Sequence, residues 1–263
     1  MPRSYPDAWP TSDEGIRKWK IDNGYDFLLE RLELPEKLFS SNPYSLDGIA
    51  LTMIALGALG EFYGEHELVN TSTLLSTEKP FGDDLKRFRR MMLRFCPSFE
   101  NRISIPELAR ALKSATSGKL LTAATMLDPM LNYYVIHGLH QVRRTVEDPT
   151  IAAFKAWARN AKFSPPDILF RYDYAGLLYM YYRSSVVHEL RVANGREAVG
   201  RPEGLLGEPE PIFYLNQSDN SPRGIYDTMR IGFRPLSILK WAKEAIENAR
   251  SWAHKEDIHI FQE

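Results

Sequence analysis

An arginine and a histidine, Arg183 and His188, interrupt the segment Leu177-Leu-Tyr-Met-Tyr-Tyr-Arg-Ser-Ser-Val-Val-His-Glu-Leu-Arg191. On a helix, Ser184, His188 and Arg191 stack into one polar stripe, with Arg183 beside it and long enough to reach over. Burying such groups unpaired among aromatic and aliphatic neighbours is costly, so the stripe demands an explanation. Histidine moves protons near neutral pH, and arginine keeps a charged fork that suits phosphate oxygens. The residue types fit phosphate chemistry; they also fit core polar groups that satisfy one another.

Other constellations carry less. Gly118-Lys119 is no phosphate loop, because Lys113 stands where a glycine is needed and Leu120 where a hydroxyl is needed. Ser76-Thr-Glu-Lys79 has serine–lysine spacing without the companion motifs, and chance explains it. His137 and His140 could face one way on a helix, with Glu61 and Glu65 as conceivable carboxylates. Neither histidine sits in a Glu-x-x-His pair, so ordinary hydrogen-bonded histidines are the favoured reading. Cys96 is the only cysteine, which excludes an intrachain disulfide framework and a Cys-rich zinc site. No metal and no cofactor are expected.

The 263 residues carry 33 Lys+Arg against 34 Asp+Glu, so no global field draws nucleic acid or membrane. An anionic partner must be held locally. Lys86, Arg87, Arg90 and Arg94 fall opposite the apolar face Leu85, Phe88, Met92 and Phe95, and Lys155, Arg159 and Lys162 form a second basic stripe. Either could hold phosphates, although solvated helix faces look the same. The strongly apolar uncharged stretch, Gly48 to Gly60, is too short to span a bilayer. Met1-Pro-Arg-Ser-Tyr-Pro-Asp lacks an apolar signal core. The expectation is a cytoplasmic protein without membrane association.

The elements that must position these residues are mostly helices. Thr11-Ser-Asp-Glu14 has capping-box spacing ahead of Ile16 and Trp19, and a second short pattern is expected to stop at Pro35. Ser45-Leu-Asp47 opens Gly48 to Tyr63, a helix buried nearly all round. Asp83-Asp84 starts a helix that Pro97 ends. Ser104-Ile-Pro-Glu107 is another capping box; Pro129 and Asp148-Pro149 open further helices. Asp173 begins a long helix from Tyr174 to about Val192. Ile212–Leu215 and Arg230–Phe233 are the only convincing strand pair, and Pro235 starts a last helix with Leu236, Leu239, Ile246 and Ala249 inward. The fold class is mostly all-α. Helices near 46–63, 83–95, 173–193 and 235–253 should form one bundle with the hairpin beside the third.

Arg183-x4-His188 also matches the R-x(4–6)-H motif of the HEPN superfamily. The spacing alone arises about once by chance in a chain of this composition, so context carries the specificity. Tyr182 to Arg191 resembles the motif helix of that family, Leu51 to Gly60 its first core helix, and Phe88 to Pro97 its second. These pieces, with the hairpin and last helix, cover about half of the chain. Residues 1–43 would be an N-terminal helical extension, and 44–263 a single HEPN-like helical domain with an insertion at about 101–165. One departure stands out: the family commonly places Asn, Asp or His directly after the motif arginine, and here it is Ser184.

The resemblance implies a metal-independent endoribonuclease, in one reading of defence or toxin type, that cleaves RNA by attack of the 2′-hydroxyl. His188 would transfer protons, Arg183 would stabilise the phosphorane, and Ser184 would orient. Tyr182 and Arg191, with Lys86, Arg87, Arg90 and Arg94, would contact RNA. It also implies a homodimer in which two motif helices surround one cleft, with Tyr179, Tyr181 and Tyr182 near the interface. The alternatives are a catalytically inactive HEPN-like RNA-binding or dimerisation module and a helical protein of unrelated purpose.

Overall fold

Ser12 caps the first helix, α1 (Asp13–Arg31), its hydroxyl oxygen accepting from Gly15 N at 3.1 Å. The cap falls one residue after Thr11, the residue that the capping-box spacing picks out. The structure, a computed structural model, describes residues 10–70, 84–114, 118–131, 143–144, 148–163, 171–184, 211–216 and 229–258. Pro35 does not stop a helix. It lies in the first turn of α2 (Glu33–Ser41), where a missing N–H costs nothing because that donor has no intrahelical acceptor.

The central helix is α3 (Leu46–Asn70). Ser45 opens it, accepting from Gly48 N at 3.2 Å, and the Phe39 ring of α2 lies directly on Gly48. Residues 46–64 are long and apolar enough to cross a membrane, but 56% of that stretch is buried inside the fold. It packs against α2, against α4 (Asp84–Phe95) and against the last helix, α10 (Pro235–Glu256). On α4 the expected face is inward: Leu85, Phe88, Met92 and Phe95 are buried, as is Met91.

On α10, Leu239, Ile246 and Ala249 are inward, but Leu236 is 55% exposed. The buried face centres on Ile238, Ala242, Ala245 and Ala249, which turns Leu236 to the far side.

The middle of the chain adds α5 (Ile105–Ser114), α6 (Gly118–Thr125), α7 (Asp128–Leu131) and α8 (Ile151–Asn160), the last capped by Thr150. Leu108, Leu112 and Phe154 from this region share one apolar cluster with Leu56, Phe88 and Leu177. The expected hairpin is present as β2 (Ile212–Asn216) and β3 (Met229–Phe233), antiparallel with Ile212 opposite Phe233 and Tyr214 opposite Ile231. A third strand, β1 (Arg143–Arg144), pairs with β2. Two arginines offer no alternation, and nothing in their pattern distinguishes them from the helix expected there.

The expected long helix at 173–193 differs most. Asp173 caps α9 (Tyr174–Leu178), and the chain then turns into a π-helical segment, Tyr179–Ser184. Bonds from i to i+5 widen each turn, so positions past Leu178 leave the 3.6-residue register. His188 and Arg191 lie outside the described residues, as do His137 and His140. Helices α3, α4, α9 and α10, with the π segment, pack as one bundle, and Tyr182 meets Phe233 of β3.

Candidate functional site

Three buried carboxylates hold the segment that carries Arg183. Asp173 is fully buried: one oxygen accepts from Gly176 N at 2.8 Å, and the other takes Arg89 Nε and Asn101 Nδ2. Burial pushes its carboxyl above the ordinary value against the opposing charge and hydrogen bond of Arg89. Asp148 receives Tyr174 Oη at 2.6 Å, Tyr214 Oη and Ile105 N at 3.2 Å, tying α9, β2 and the start of α5. Glu107 receives Tyr181 Oη at 2.7 Å, Arg110 Nη1 at 2.6 Å and Ile231 N at 3.2 Å. Glu107 therefore does not close the expected capping box; Ser104 N donates to Tyr172 O instead.

The tyrosines of the π segment are spent on this framework. Tyr182 is 3% exposed, and its hydroxyl accepts from Phe233 N at 3.1 Å and donates to Phe233 O at 3.3 Å. That placement leaves no face for the expected RNA contact. Tyr181 is bound to Glu107, and Tyr179 packs its ring 5.3 Å from that of Phe88. Tyr182 is thus turned into the fold, away from any interface, whereas Tyr179 and Tyr181 are half-buried and keep an exposed edge. The wider π turn takes Tyr182 out of α-helical register and sets it inward against Phe233.

Arg183 stays at the edge. It is half-buried and lies across α3 at Gly57, where a Cβ would fall 2.6 Å from Nε. Arg87 of α4 crosses the same helix at Gly64, where a Cβ would fall 2.1 Å from Cδ. Between the two crossings Gly60 lets α4 approach, with Phe88 Cα 3.4 Å from the position of a Cβ. Gly57, Gly60 and Gly64 thus form a flat strip on which two arginines converge.

The result is a shallow cleft open to solvent. Gly57 and Gly60 form its floor, Phe88 and Tyr179 its wall, and Glu61, Asp84, Arg87 and Arg183 its rim. Asp84 Oδ1 accepts from Arg87 Nη2 at 3.0 Å. The Arg87 side chain is only 14% exposed, and its Nε is buried without a hydrogen-bond partner among the described residues. The Arg183 guanidinium has no hydrogen bond or ion pair among them either. A charged donor left unmatched on burial costs about 1–3 kcal/mol, and an anion in the cleft would relieve it.

The basic stripe on α4 therefore divides. Arg87 enters the cleft with Arg183; Lys86 and Arg90 stay on the exposed face of the helix. Arg94 holds its guanidinium against the rings of Tyr63, Phe95 and Trp252 at 5.5–5.9 Å, a packing role. Lys155, Arg159 and Lys162 lie exposed on and just after α8. Ser184 ends the π segment, so it follows Arg183 on the same turn.

Other chemistry is weaker. No group of three metal-ligating side chains occurs among the described residues. Cys96 is buried and donates to Glu244 at 3.3 Å; burial and that carboxylate push the thiol far above its ordinary value, which makes it a poor nucleophile. Residue patterns alone gave Glu107 only a capping role and did not single out Arg89 or the glycine strip. The signals were present: Glu107 and Arg110 three apart, Arg89 next to Phe88 on an inward turn, and glycines at 57, 60 and 64. No family model, curated protein or solved structure matches the chain.

Proposed function

We propose that this protein is a metal-independent endoribonuclease of HEPN type that binds a phosphate of RNA at the Arg183 cleft. The observation that carries the reading is Arg183 itself. The motif arginine is the one whose guanidinium lies at an open cleft with no partner among the described residues, held there by a glycine. A structural arginine would be matched by a carboxylate, as Arg89 is by Asp173 and Arg250 by Asp22.

In the reaction, a base takes the proton of the 2′-hydroxyl and the 2′-oxygen attacks phosphorus. The bond to the 5′-oxygen breaks, and an acid protonates that leaving oxygen. A 2′,3′-cyclic phosphate and a 5′-hydroxyl result. His188 supplies proton transfer, and Arg183 neutralises charge on the phosphorane. One histidine per chain meets the need for both acid and base when two copies share a cleft, hence a homodimer. Serine at 184, in place of the family's usual Asn, Asp or His, favours a second reading: an inactive RNA-binding relative that keeps the cleft.

The test is RNA cleavage in excess EDTA with analysis of the product ends. Cyclic or 3′-phosphate ends, lost in both Arg183→Ala and His188→Ala by about 10²–10⁴-fold, support the enzyme. Binding without cleavage supports the second reading. Dependence on added magnesium, cleavage of DNA, or an undiminished His188→Ala variant defeats the mechanism.

A further inference from the structure

We infer that Arg87 is the second anion-binding group of the Arg183 cleft, and that Asp84 occupies it until a phosphate of the substrate takes its place. The inference rests on the ribonuclease reading for the identity of the anion, and on geometry for the rest. Arg87 and Arg183 reach the same cleft from different elements, each lowered onto α3 by its own glycine, Gly64 and Gly57. Their neighbours on the sequence do not: Lys86 and Arg90 point away, and Arg94 is taken by three rings. The electrostatics of the pair are lopsided. The Arg87 side chain is 14% exposed whereas Asp84 is 59% exposed, so the carboxylate is hydrated and replaceable while the arginine is fixed. Arg87 also keeps Nε buried without a hydrogen bond among the described residues, although Asp84 already accepts from Nη2. A phosphate with several acceptor oxygens satisfies donors that a single carboxylate oxygen does not. Two fixed guanidiniums along one groove suit two positions on a polyanion: Arg183 at the reacting phosphate and Arg87 at its neighbour.

A purely structural Arg87–Asp84 pair and a phosphate site held shut by Asp84 differ in sign. The probe is a 2′-O-methylated oligoribonucleotide, which binds but cannot supply the nucleophile, titrated against the full chain by fluorescence anisotropy over a range of salt. Arg87→Gln is expected to weaken binding about tenfold and to lower the salt slope by about one. Asp84→Asn is expected to tighten it about threefold, because it removes an exposed competitor. Arg17→Gln, which breaks the exposed pair with Asp257, serves as the matched charge control and should change little. The inference is overturned if Arg87→Gln binds like the parent, if Asp84→Asn weakens binding, or if the parent does not bind the probe. Its fate separates from that of the enzyme: a parent that binds the probe with these signs but leaves unmodified RNA intact keeps the Arg87 site and loses the ribonuclease. A parent that cleaves RNA while Arg87→Gln binds unchanged does the reverse.

Discussion

Gly57 and Arg183 are complementary: the arginine lies across the helix only because the glycine has no side chain, with a Cβ position 2.6 Å from Nε. The clash of a larger residue would fall on the far end of a flexible side chain, so it displaces Arg183 without disturbing the backbone. Gly57→Ala is therefore expected to separate stability from function. Alanine in a helix interior is favoured over glycine by about 1 kcal/mol, so the melting temperature should hold or rise. Misplacing the phosphate-binding group by about 1 Å costs on the order of 10²-fold in rate. Thermal melts and RNA cleavage on the same preparation check both halves; loss of stability with intact cleavage would contradict the arrangement.

Glu107 is the carboxylate that fixes the turn before Arg183. It takes Tyr181 from the π segment, Arg110 from its own helix and the backbone of β3. Glu107→Gln keeps the shape but leaves Arg110 without its countercharge, and should cost about 3 kcal/mol in urea unfolding. Tyr181→Phe removes one hydrogen bond and should cost about 1 kcal/mol. The double variant should be less than additive, since both changes act on one network.

The apolar periodicities made the bundle legible. The Leu85–Phe95 face and the Ile212/Arg230 strand pair appear in the structure where their patterns put them. The Gly48–Tyr63 segment is a central helix as expected, but Ile54 is 47% exposed, so it is not buried all round. Positions decided by tertiary contact were not legible. Glu107 reads as a capping-box residue because nothing local records that Ser104 N is satisfied by Tyr172 O. Tyr182 reads as an exposed aromatic because an α-helical register was assumed, and the π turn rotates it inward. Arg87 reads as one of four equal surface charges; only the glycine at 64, on a different helix, sets it apart. Arg183 stood out from its apolar surroundings, and the cleft at which it lies was not legible.

Arg89 and Asp173 give a test with a sign. The Arg89 charge and hydrogen bond offset part of the cost of burying the Asp173 carboxylate, whose pKa burial still holds above the ordinary value. Arg89→Met removes that offset, so the folded-state pKa rises further while the unfolded value stays near about 3.9. A folded pKa above the unfolded one means that the native state binds the proton more tightly, and ionisation costs stability as pH rises between the two. The variant should therefore be nearest to the parent in acid and lose ground once pH rises through the parent's own raised value. The deficit should level off, at about 3 kcal/mol, once pH passes the variant's still higher value. Urea unfolding of both proteins in acid and at neutral pH measures it; a deficit that shrinks toward neutrality would be the wrong sign.

The opposite sign is expected at the other end of the molecule, where α1 docks on α10. Asp22 accepts from Arg250 at 2.6 Å and pairs with His254 Nε2 at 2.8 Å, while Arg250 also reaches Asp26 at 2.8 Å. Burial pushes the Asp22 carboxyl up, but the hydrogen bonds from His254 and Arg250 and the charges behind them outweigh it and leave it below its ordinary value. A depressed folded pKa binds the proton less tightly than the unfolded chain does, so the contribution is complete above the ordinary aspartate value of about 3.9 and is lost as pH falls through the folded value. The groups are partly exposed, so the effect should be modest and should weaken with added salt. Asp22→Asn is expected to flatten the acid limb of the stability curve and to leave the curve's shape above about pH 5 unchanged apart from a constant offset. Amide exchange along α1 locates the change: protection in Ile21 to Leu28 should fall below pH 4 in the parent and lose that pH dependence in Asp22→Asn. An acid limb that is equally steep in both proteins would assign it to other carboxylates.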